Sequence, residues 1–323
     1  MKVLVTGGAG YIGSICVEYL LDEGHEVVVF DNLSEGHRKA VDQRAELVEG
    51  DLREQDIIAQ ALLETTPDAV MHFAANALVG ESMKAPEKYF RNNLVSGINL
   101  LEGMLGAGVK RIVFSSTCAT FGTPDRVPID ETLPQNPINP YGETKLMFER
   151  TLRWYGELHG FTFAALRYFN AAGASEKLGE DHRIETHLIP IVLKVALGQR
   201  ESVDILGTDY DTPDGTCVRD YIHVRDLAQA HLLALNLAES GYFNLGTGGG
   251  TSVREVIDTC KRVTGKDIPV IEKPRRAGDP ARLIAASEKA RRTLGWQPEF
   301  SDIESIIQSA WAWHKKNPHG YGD

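Results

Sequence analysis

The stretch that decides the fold is residues 3–20, VLVTGGAGYIGSICVEYL, an apolar run followed by glycines and an amphipathic segment. Gly7, Gly10 and Gly13 give the spacing G-x-x-G-x-x-G between a predicted strand and a predicted helix. Glycine permits a tight turn and a close approach of backbone to a pyrophosphate, while the helix N-terminus offers N–H donors and a positive dipole end. The stretch predicts a dinucleotide site. A glycine turn that only packs the helix on the strand is the alternative.

Short apolar runs and helix-length segments alternate through the first half of the chain. The runs are KVLVT (2–6), EVVVFD (26–31), AELVEGD (45–51), AVMHFAA (69–75), RIVFSS (111–116) and FTFAALRYF (161–169). Runs rich in Val and Ile without polar alternation are typical of parallel strands that are covered on both faces. The order predicts right-handed crossovers and an α/β fold with a doubly wound, parallel Rossmann sheet.

After residue 170 this rhythm gives way to long loops rich in Gly and Asp, and such loops usually serve recognition. A strand, glycine turn and helix pattern returns in YFNLGTGGGTSVREVIDTC (242–260). We therefore expect a smaller, discontinuous C-terminal domain for substrate binding. The predicted division gives 1–170 plus about 220–250 to the NAD-binding Rossmann domain, and 171–219 plus 251–323 to the substrate-binding portion.

Bulk composition limits the class of protein. The chain has 323 residues and a net charge of -11, which argues against a general nucleic-acid or anionic-membrane surface. Its four cysteines show no C-x-x-C pair or zinc spacing, so we expect reduced thiols. A strand begins at once, without a signal peptide, and no apolar run has the length of a membrane span. The expected location is the cytoplasm.

The second predicted strand ends in VVVFDNLS (27–34), which places Asp31 about 20 residues beyond the glycines. A carboxylate there binds the ribose 2′-OH of NAD. It would repel the 2′-phosphate of NADP, and no Arg follows it directly. The sequence therefore favours NAD, although a solvated Asp at a strand end is the alternative.

The stretch NPYGETKLMFE (139–149) places Tyr141 and Lys145 one helical turn apart, just after a proline. A free Tyr has a pKa near 10, too high for a base at neutral pH. A nearby ammonium and the positive ring of NAD⁺ both favour the phenolate. The alternative is an ordinary amphipathic helix with one half-exposed Tyr and one solvated Lys.

Several motifs in one order resemble the extended short-chain dehydrogenase/reductases over nearly the whole chain. They are the glycine pattern, Asp31, GDL (50–52), HFAA (72–75), FSST (114–117) and PYGETK (140–145). Four later stretches resemble the UDP-hexose 4-epimerases of that family: LRYFNAAGA (166–174), ETHLIPIV (185–192), GTCVRDYIHVRDLA (215–228) and RRAGDPARLIA (275–285).

The resemblance implies an isomerase that interconverts UDP-glucose and UDP-galactose without a metal. Hydride would pass from sugar C4 to NAD⁺ as Tyr141 removes the O4 proton. A 4-keto intermediate would turn over in the pocket, and hydride would return to its opposite face. Lys145 would hold the nicotinamide ribose, and Thr117 would hydrogen-bond the sugar oxygen. These three residues are the predicted catalytic set.

The resemblance also implies the contacts of the cofactor, from the pyrophosphate beside Tyr11 and Ile12 to the adenine at Asp51 and Leu52. The full predicted set is Gly7, Gly10, Tyr11, Ile12, Gly13, Asp31, Asn32, Asp51, Leu52, Phe73, Ala74, Ala75, Asn92, Tyr141, Lys145 and Phe169. Some relatives carry a Lys shortly after HFA, where this chain has Ala77. The resemblance therefore gives position 77 no cofactor contact.

A nucleotide diphosphate needs cationic, preferably bidentate, donors, and Arg219 and Arg276 match the family's contacts. Surface arginines are the alternative. Asp279 would hold a ribose hydroxyl, and three apolar residues would frame the uracil largely through backbone groups. The predicted substrate contacts are Thr117, Tyr141, Asn170, Leu188, Ile205, Leu206, Arg219, Arg276, Asp279 and Leu283.

Two positions after Thr117 separate sibling enzymes. Sugar-nucleotide 4,6-dehydratases carry an Asp-Glu pair there, whereas this chain has Cys118 and Ala119, so dehydration is disfavoured. His182 and His187 lie in a long loop without a recognisable ligand spacing and are predicted to be polar loop groups. His187 also matches a position near the substrate in relatives.

Alternatives remain open. Some relatives carry Tyr where this chain has Leu283, so the pocket could admit an N-acetyl group and prefer UDP-N-acetylhexosamine, or a uronate. A regulator that senses NAD without turnover is a rival of another class, although it would be expected to lose the Tyr/Lys pair. The resemblance suggests a homodimer packed through helices after KAPEKYF (84–90) and NPYGETK (139–145), although the same faces could belong to the core.

Overall fold

The computed structural model describes residues 1–276 and 278–322. The strands in that part of the chain are β1 (Lys2–Thr6), β2 (Glu26–Asp31), β3 (Glu46–Glu49), β4 (Ala69–His72), β5 (Arg111–Thr117), β6 (Thr162–Tyr168), β7 (Asn170–Ala172), β8 (Val203–Leu206), β9 (Val218–His223), β10 (Gly241–Leu245), β11 (Gly250–Ser252), β12 (Val270–Lys273) and β13 (Arg282–Leu283).

Helices connect and cover these strands. They are α1 (Tyr11–Asp22), α2 (Gln55–Thr65), α3 (Val79–Ser82), α4 (Pro86–Tyr89), α5 (Ser96–Gly106), α6 (Pro140–His159), α7 (Leu188–Ala196), α8 (Val224–Ala234), α9 (Val253–Thr264), α10 (Glu288–Leu294) and α11 (Ile303–Lys316). A π-helical turn, Phe90–Val95, joins α4 to α5, and short 3-10 turns lie at Arg38–Ala40 and Cys118–Phe121.

The large sheet has seven strands in the order β10-β6-β5-β4-β1-β2-β3, and every neighbouring pair is parallel. From β1 the chain builds outward through β2 and β3, then returns to β4 on the other side of β1 and builds the opposite way. The order therefore reverses between β1 and β4. The predicted doubly wound parallel sheet is confirmed.

The apolar runs form strands because both faces of the sheet are buried. Val3 and Val5 belong to one core cluster, and Leu4 between them belongs to the cluster on the other face. Successive side chains of a strand point to opposite faces, so an unbroken apolar run fills two cores. Burying each such side chain contributes about 1.5–3 kcal/mol.

The glycine turn after β1 needs glycine for space as well as for conformation. Gly7 has φ +74°, and a Cβ there would lie 2.5 Å from the backbone nitrogen of Ala74. A Cβ on Gly13 would lie 2.2 Å from the carbonyl oxygen of Gly7. Substitution at either position would push α1 away from β1 and the end of β4, so these glycines set how closely the helix approaches the sheet.

The remaining strands form smaller sheets beside the large one. Strands β11, β9 and β13 form one of them, with β7 also paired to β9, and β8 pairs with β12. Their core lies among α7, α9 and α11, while β10 joins the large sheet. The division into domains at about residues 170, 220 and 250 stays a prediction. Within the two described ranges, no helix combines the length and apolar character needed to cross a membrane.

Candidate active site

The site lies at the carboxyl ends of the parallel strands, where the sheet order reverses. Such a reversal opens a crevice between diverging loops, which is the usual ligand position in doubly wound folds. A cleft occupies it here. Ten of the predicted cofactor residues line it: Gly7, Gly10, Asp31, Asn32, Asp51, Leu52, Phe73, Ala74, Ala75 and Asn92.

The N-terminus of α1 faces this cleft at the glycine turn. Gly10 is its N-cap, and no side chain caps the helix. Helix N-terminal N–H groups without a side-chain cap can bind an anion such as a pyrophosphate. Tyr11 and Ile12 form the first turn, and the Tyr11 hydroxyl donates to the carbonyl of Gly173 at 2.6 Å. The bare glycine turn therefore fits a dinucleotide diphosphate.

Carboxylates mark the other end of the cleft. Asp31 is buried and accepts hydrogen bonds from the N–H groups of Ala9 at 3.0 Å and Leu33 at 2.8 Å. Burial raises the pKa of Asp31, and these two hydrogen bonds oppose the shift. The Asn32 amide donates to Asp51 at 2.9 Å, and Arg53 lowers the pKa of Asp51. The Asp31 carboxylate at this end would repel a 2′-phosphate, whereas Arg53 offsets the charge of Asp51.

The predicted catalytic residues meet where β5 ends and α6 begins. Asn139 caps α6 by accepting a hydrogen bond from the N–H of Gly142 at 2.8 Å, so Tyr141 lies in the first turn. The Thr117 side chain lies close enough to the Tyr141 phenol to lower its pKa. Lys145 donates to the carbonyl oxygen of Ser115 at 2.8 Å, and its Nζ lies 6.0 Å from the Tyr141 ring centroid. The structure thus brings the three residues together.

The electrostatics of this group differ from the expectation that its neighbours acidify Tyr141. Burial raises the pKa of Tyr141 to about 12, and the nearby Thr117 side chain opposes that rise. Burial also lowers the pKa of Lys145 to about 7, against the attraction of Glu149. With the protein's groups alone, the Tyr141 side chain is therefore a neutral phenol at pH 7.

A network of buried, charged side chains lies beside Lys145. Arg167 donates to both carboxylate oxygens of Glu149, at 2.9 and 2.7 Å, and the Ser116 hydroxyl donates to Glu149 at 2.5 Å. Glu149 follows Lys145 by one turn of α6. The analysis of the sequence missed this network. The i, i+4 spacing of Lys145 and Glu149 was an available signal, whereas nothing local indicates Arg167.

A second missed residue ties the loop after β4 to the catalytic helix. The amide of Asn93 accepts from the N–H of Asn76 at 2.9 Å and donates to its carbonyl at 3.0 Å. It also donates to the Thr144 hydroxyl at 3.1 Å. Asn92, which was predicted to contact the cofactor, donates to the same amide at 3.3 Å.

The predicted diphosphate residues form one polar cluster. Asp279 accepts from Arg219 at 2.6 Å through Oδ1 and from Arg276 at 3.0 Å through Oδ2. Arg219 lies on β9 opposite Leu283 of β13. Leu283 in turn packs against the apolar cluster that contains Phe169, and Cys118 packs against that cluster too. The same apolar cluster therefore links Leu283, a predicted substrate contact, to Cys118, the residue after Thr117.

The predicted uracil residues lie farther along the smaller sheets. Leu188 begins α7, and Ile205 and Leu206 end β8. The Ile205 side chain is buried in the core, whereas Leu206 is exposed. A contact from Ile205 would therefore use its backbone, as the sequence analysis expected. Asn170 begins β7, directly after the buried Phe169.

The long loop before α7 holds a cluster that the sequence analysis did not predict. His182 and His187, expected to be separate polar loop groups, lie together with Glu180 and Glu185. The tyrosine ring of Tyr11 meets the His182 ring edge-on, with ring centroids 6.1 Å apart. The cluster therefore adjoins the first turn of α1.

Comparison with known proteins places this geometry in a family. A family model described as the NAD dependent epimerase/dehydratase family matches residues 3–246. The UDP-glucose 4-epimerase of Streptococcus mutans serotype c is 55% identical over 331 residues, covering 100% of this chain and 99% of that protein.

Two solved structures extend the comparison. The UDP-glucose 4-epimerase of Bifidobacterium longum, in complex with NAD⁺ and UDP, is 41% identical with a TM-score of 0.95, and the match covers 99% of this chain and 100% of that one. The UDP-Glc/GlcNAc 4-epimerase of Campylobacter jejuni is 44% identical with a TM-score of 0.86, covering 98% and 99%. The resemblance read from the motifs is confirmed, and the chain belongs to the NAD-dependent epimerase/dehydratase family.

Proposed function

We propose that this chain is an NAD-dependent isomerase, a 4-epimerase that interconverts UDP-glucose and UDP-galactose. The observation that carries the proposal is the group formed by the Tyr141 phenol, the Thr117 hydroxyl and the Lys145 ammonium at the carboxyl edge of the sheet. Similarity to UDP-glucose 4-epimerases over the whole chain supports it.

The cleft residues would hold the cofactor along its length. The N-terminus of α1 would bind the pyrophosphate and Asp31 the adenosine ribose. Lys145, which lies on α6 outside the lining of this cleft, would bind the nicotinamide ribose. Bound NAD⁺ would supply acceptance of a hydride from sugar C4 and its return to the opposite face of the 4-keto sugar, and its positive charge would favour the Tyr141 phenolate.

Tyr141 would move the proton of the sugar O4 hydroxyl, and Thr117 would orient that oxygen by a hydrogen bond. The neighbouring side chains argue for epimerisation rather than dehydration. Burial raises the pKa of the Cys118 thiol to about 12, so that group is neutral at pH 7. Ala119 has no titratable group. Neither residue can replace the two carboxylates that a dehydratase uses.

The nucleotide end would bind through Arg219 and Arg276. Asp279 pairs with both arginines, so two cations share one carboxylate and leave net positive charge for a diphosphate. The pairing also holds both guanidinium groups in place before substrate arrives. UDP-hexose is the substrate class that this end supports.

The decisive experiment combines an assay and one isosteric variant. Purified full-length protein, without added NAD, should convert UDP-galactose to UDP-glucose. Tyr141→Phe should keep bound NAD, measured by its absorbance, while its epimerisation falls by about 10²- to 10⁴-fold. A non-catalytic NAD sensor would be indifferent to this change, so full activity in Tyr141→Phe would refute the assigned role.

A second candidate substrate rests on Leu283. This side chain is half-buried against the cluster beside Cys118 and is shorter than a Tyr. We propose that the pocket also admits an N-acetyl group, giving activity on UDP-N-acetylglucosamine. Leu283→Tyr should lower that activity at least about 10-fold relative to activity on UDP-glucose. Complete inactivity of the unaltered protein on the acetylated sugar would refute the idea.

We also propose a homodimer formed through α5 and α6. Four apolar side chains on or beside these helices are exposed: Val95, Leu105, Trp154 and Leu158. Trp154 and Leu158 lie one turn apart on α6, and exposed apolar groups on one face commonly mark an interface. The four cysteines are unpaired, which supports a reducing compartment, and the cytoplasm stays our prediction.

A further inference from the structure

The loop between β7 and α7 holds four ligand-type side chains outside the catalytic group. Glu180, His182, Glu185 and His187 each offer one atom, and these atoms all lie within 4.8 Å of one another. In sequence they form the pattern E-x-H-x-x-E-x-H. The catalytic proposal assigns no role to this set, although His187 matches a position near the substrate in relatives.

The distances within the cluster suit a single small cation. Oε1 of Glu180 lies 3.2 Å from Nε2 of His182 and 2.9 Å from Nδ1 of His187. Nδ1 of His187 also lies 3.0 Å from Oε1 of Glu185. These three separations are close to the value of about 3.3 Å expected between ligands that lie about 2.0–2.1 Å from a tetrahedral metal. The remaining pairs lie within 4.8 Å, so rotation of the side chains would have to bring them closer.

Burial and charge favour a cation here. The side chains of Glu180 and Glu185 are each only 5% exposed, yet both approach the same imidazole. The two carboxylates pair with the two imidazoles, whose protonation balances their charge, and one divalent ion would supply the same charge in place of those two protons. Two nitrogen ligands disfavour Ca²⁺ and Mg²⁺, which prefer oxygen alone, and favour Zn²⁺ or a related transition metal.

The intervening residues hold the loop in place from outside the cluster. His37 contacts the backbone oxygen of Asp181 at 3.0 Å, and the N–H of Tyr321 donates to the Asp181 carboxylate at 2.9 Å. Arg183 donates to the carbonyl of Ser34 at 2.9 Å. Because residues 181 and 183 are fastened elsewhere, the alternating residues 180 and 182 keep their positions in the cluster.

We propose that Glu180, His182, Glu185 and His187 form a structural binding site for one divalent transition-metal ion, with Zn²⁺ the best match. Four protein ligands close the coordination shell, as is usual for structural zinc. The ion fastens the loop that runs from the Tyr11–Gly173 hydrogen bond to Leu188 at the start of α7. The site therefore stabilises the wall between the cofactor cleft and the predicted uracil contacts.

Cobalt titration of tag-free, chelator-treated, full-length protein tests the proposal, since tetrahedral Co²⁺ absorbs strongly in the visible range. We expect this absorption to saturate near one Co²⁺ per chain and to disappear when Zn²⁺ is added. A flat response, or weak binding of several ions without saturation, would overturn the site. This readout uses the unaltered chain, so it does not depend on how variants fold.

Variants then assign the ligands. Glu185→Gln and His187→Asn should each weaken Co²⁺ binding by at least about 100-fold, because both remove a direct ligand. His159→Asn is the matched control, since His159 is exposed on α6 and should leave binding unchanged. Unchanged binding in both cluster variants would refute the assignment. None of these measurements depends on epimerase activity, so failure here leaves the proposed function intact.

Discussion

At the scale of single residues, the Thr117 hydroxyl lowers the pKa of Tyr141 and so favours its phenolate form. Replacing Thr117 with Val removes that hydroxyl, so the pKa of Tyr141 rises further. The activity of a phenolate base appears only as pH approaches that pKa. We therefore expect the rising limb of the pH–kcat profile to move to higher pH, with kcat about 10- to 100-fold lower at neutral pH.

Thr117→Ser is the control for this prediction, because it keeps the hydroxyl and should keep the pH profile. The Thr117 oxygen also accepts from the N–H of Ala119 at 3.1 Å, so the Val variant loses about 1 kcal/mol of stability as well. Urea unfolding separates that loss from the pH shift. A Val variant with the unaltered profile would remove Thr117 from the proton transfer.

Functional residues that lie within one helical turn could be predicted from the sequence, whereas contacts between residues far apart in the sequence could not. Tyr141 and Lys145 lie four residues apart on α6, so their proximity follows from helix geometry. The bidentate pair of Arg167 and Glu149 joins α6 to β6, and no local pattern indicates it. The depressed pKa of Lys145 arises from burial, which also depends on the assembled fold.

At the scale of elements, the start of α6 controls where Tyr141 is held. Asn139 supplies the only side-chain cap described for this helix, through the N–H of Gly142. Asn139→Ala should lower the free energy of unfolding by about 1 kcal/mol, because that N–H loses its acceptor. The first turn then frays, so kcat should fall several-fold while bound NAD is retained.

Asn139→Ser serves as the matched variant, since Ser also caps helices and should retain both stability and kcat. Chemical denaturation and steady-state kinetics on the same samples check the pair. If Asn139→Ala kept its full kcat, the first turn would be held by other contacts and the cap would not position Tyr141.

Longer helices and strands could be predicted because their apolar residues recur at a regular spacing, whereas very short strands contain too few residues to show one. The Val-rich runs gave the strands of the large sheet, and the run at 242–245 gave β10. The two-residue β13 and the three-residue β7 are too short to show a period. They exist because β9 offers pairing edges that only the folded chain provides.

At the scale of the whole molecule, the fold of one chain follows from the order of its elements, but the association of chains into a dimer does not. The reversal between β1 and β4 positions the glycine turn, Asp31 and the Tyr141 group on one edge of the sheet. Alternating strands and helices imply that edge before any coordinates are known. The loop from 173 to 187 has no such pattern, which is why its Glu and His cluster was missed.

Assembly is testable through the exposed face of α6. Leu158 is 70% exposed and Trp154, one turn before it, is 51% exposed, an unusual pair for a helix that faces only water. If α5 and α6 form the proposed dimer interface, Leu158→Glu would bury a charge at that interface. We expect the unaltered protein to sediment as a dimer, with twice the mass of one chain. At the same concentration, the variant should sediment as a monomer.

Sedimentation velocity over a range of concentrations measures both species. Leu63→Glu is the matched control, because Leu63 is 60% exposed but lies on α2, outside the proposed interface, and should leave the dimer intact. A monomeric unaltered chain at every concentration would contradict the dimer. A dimer that survives Leu158→Glu would place the interface on another face.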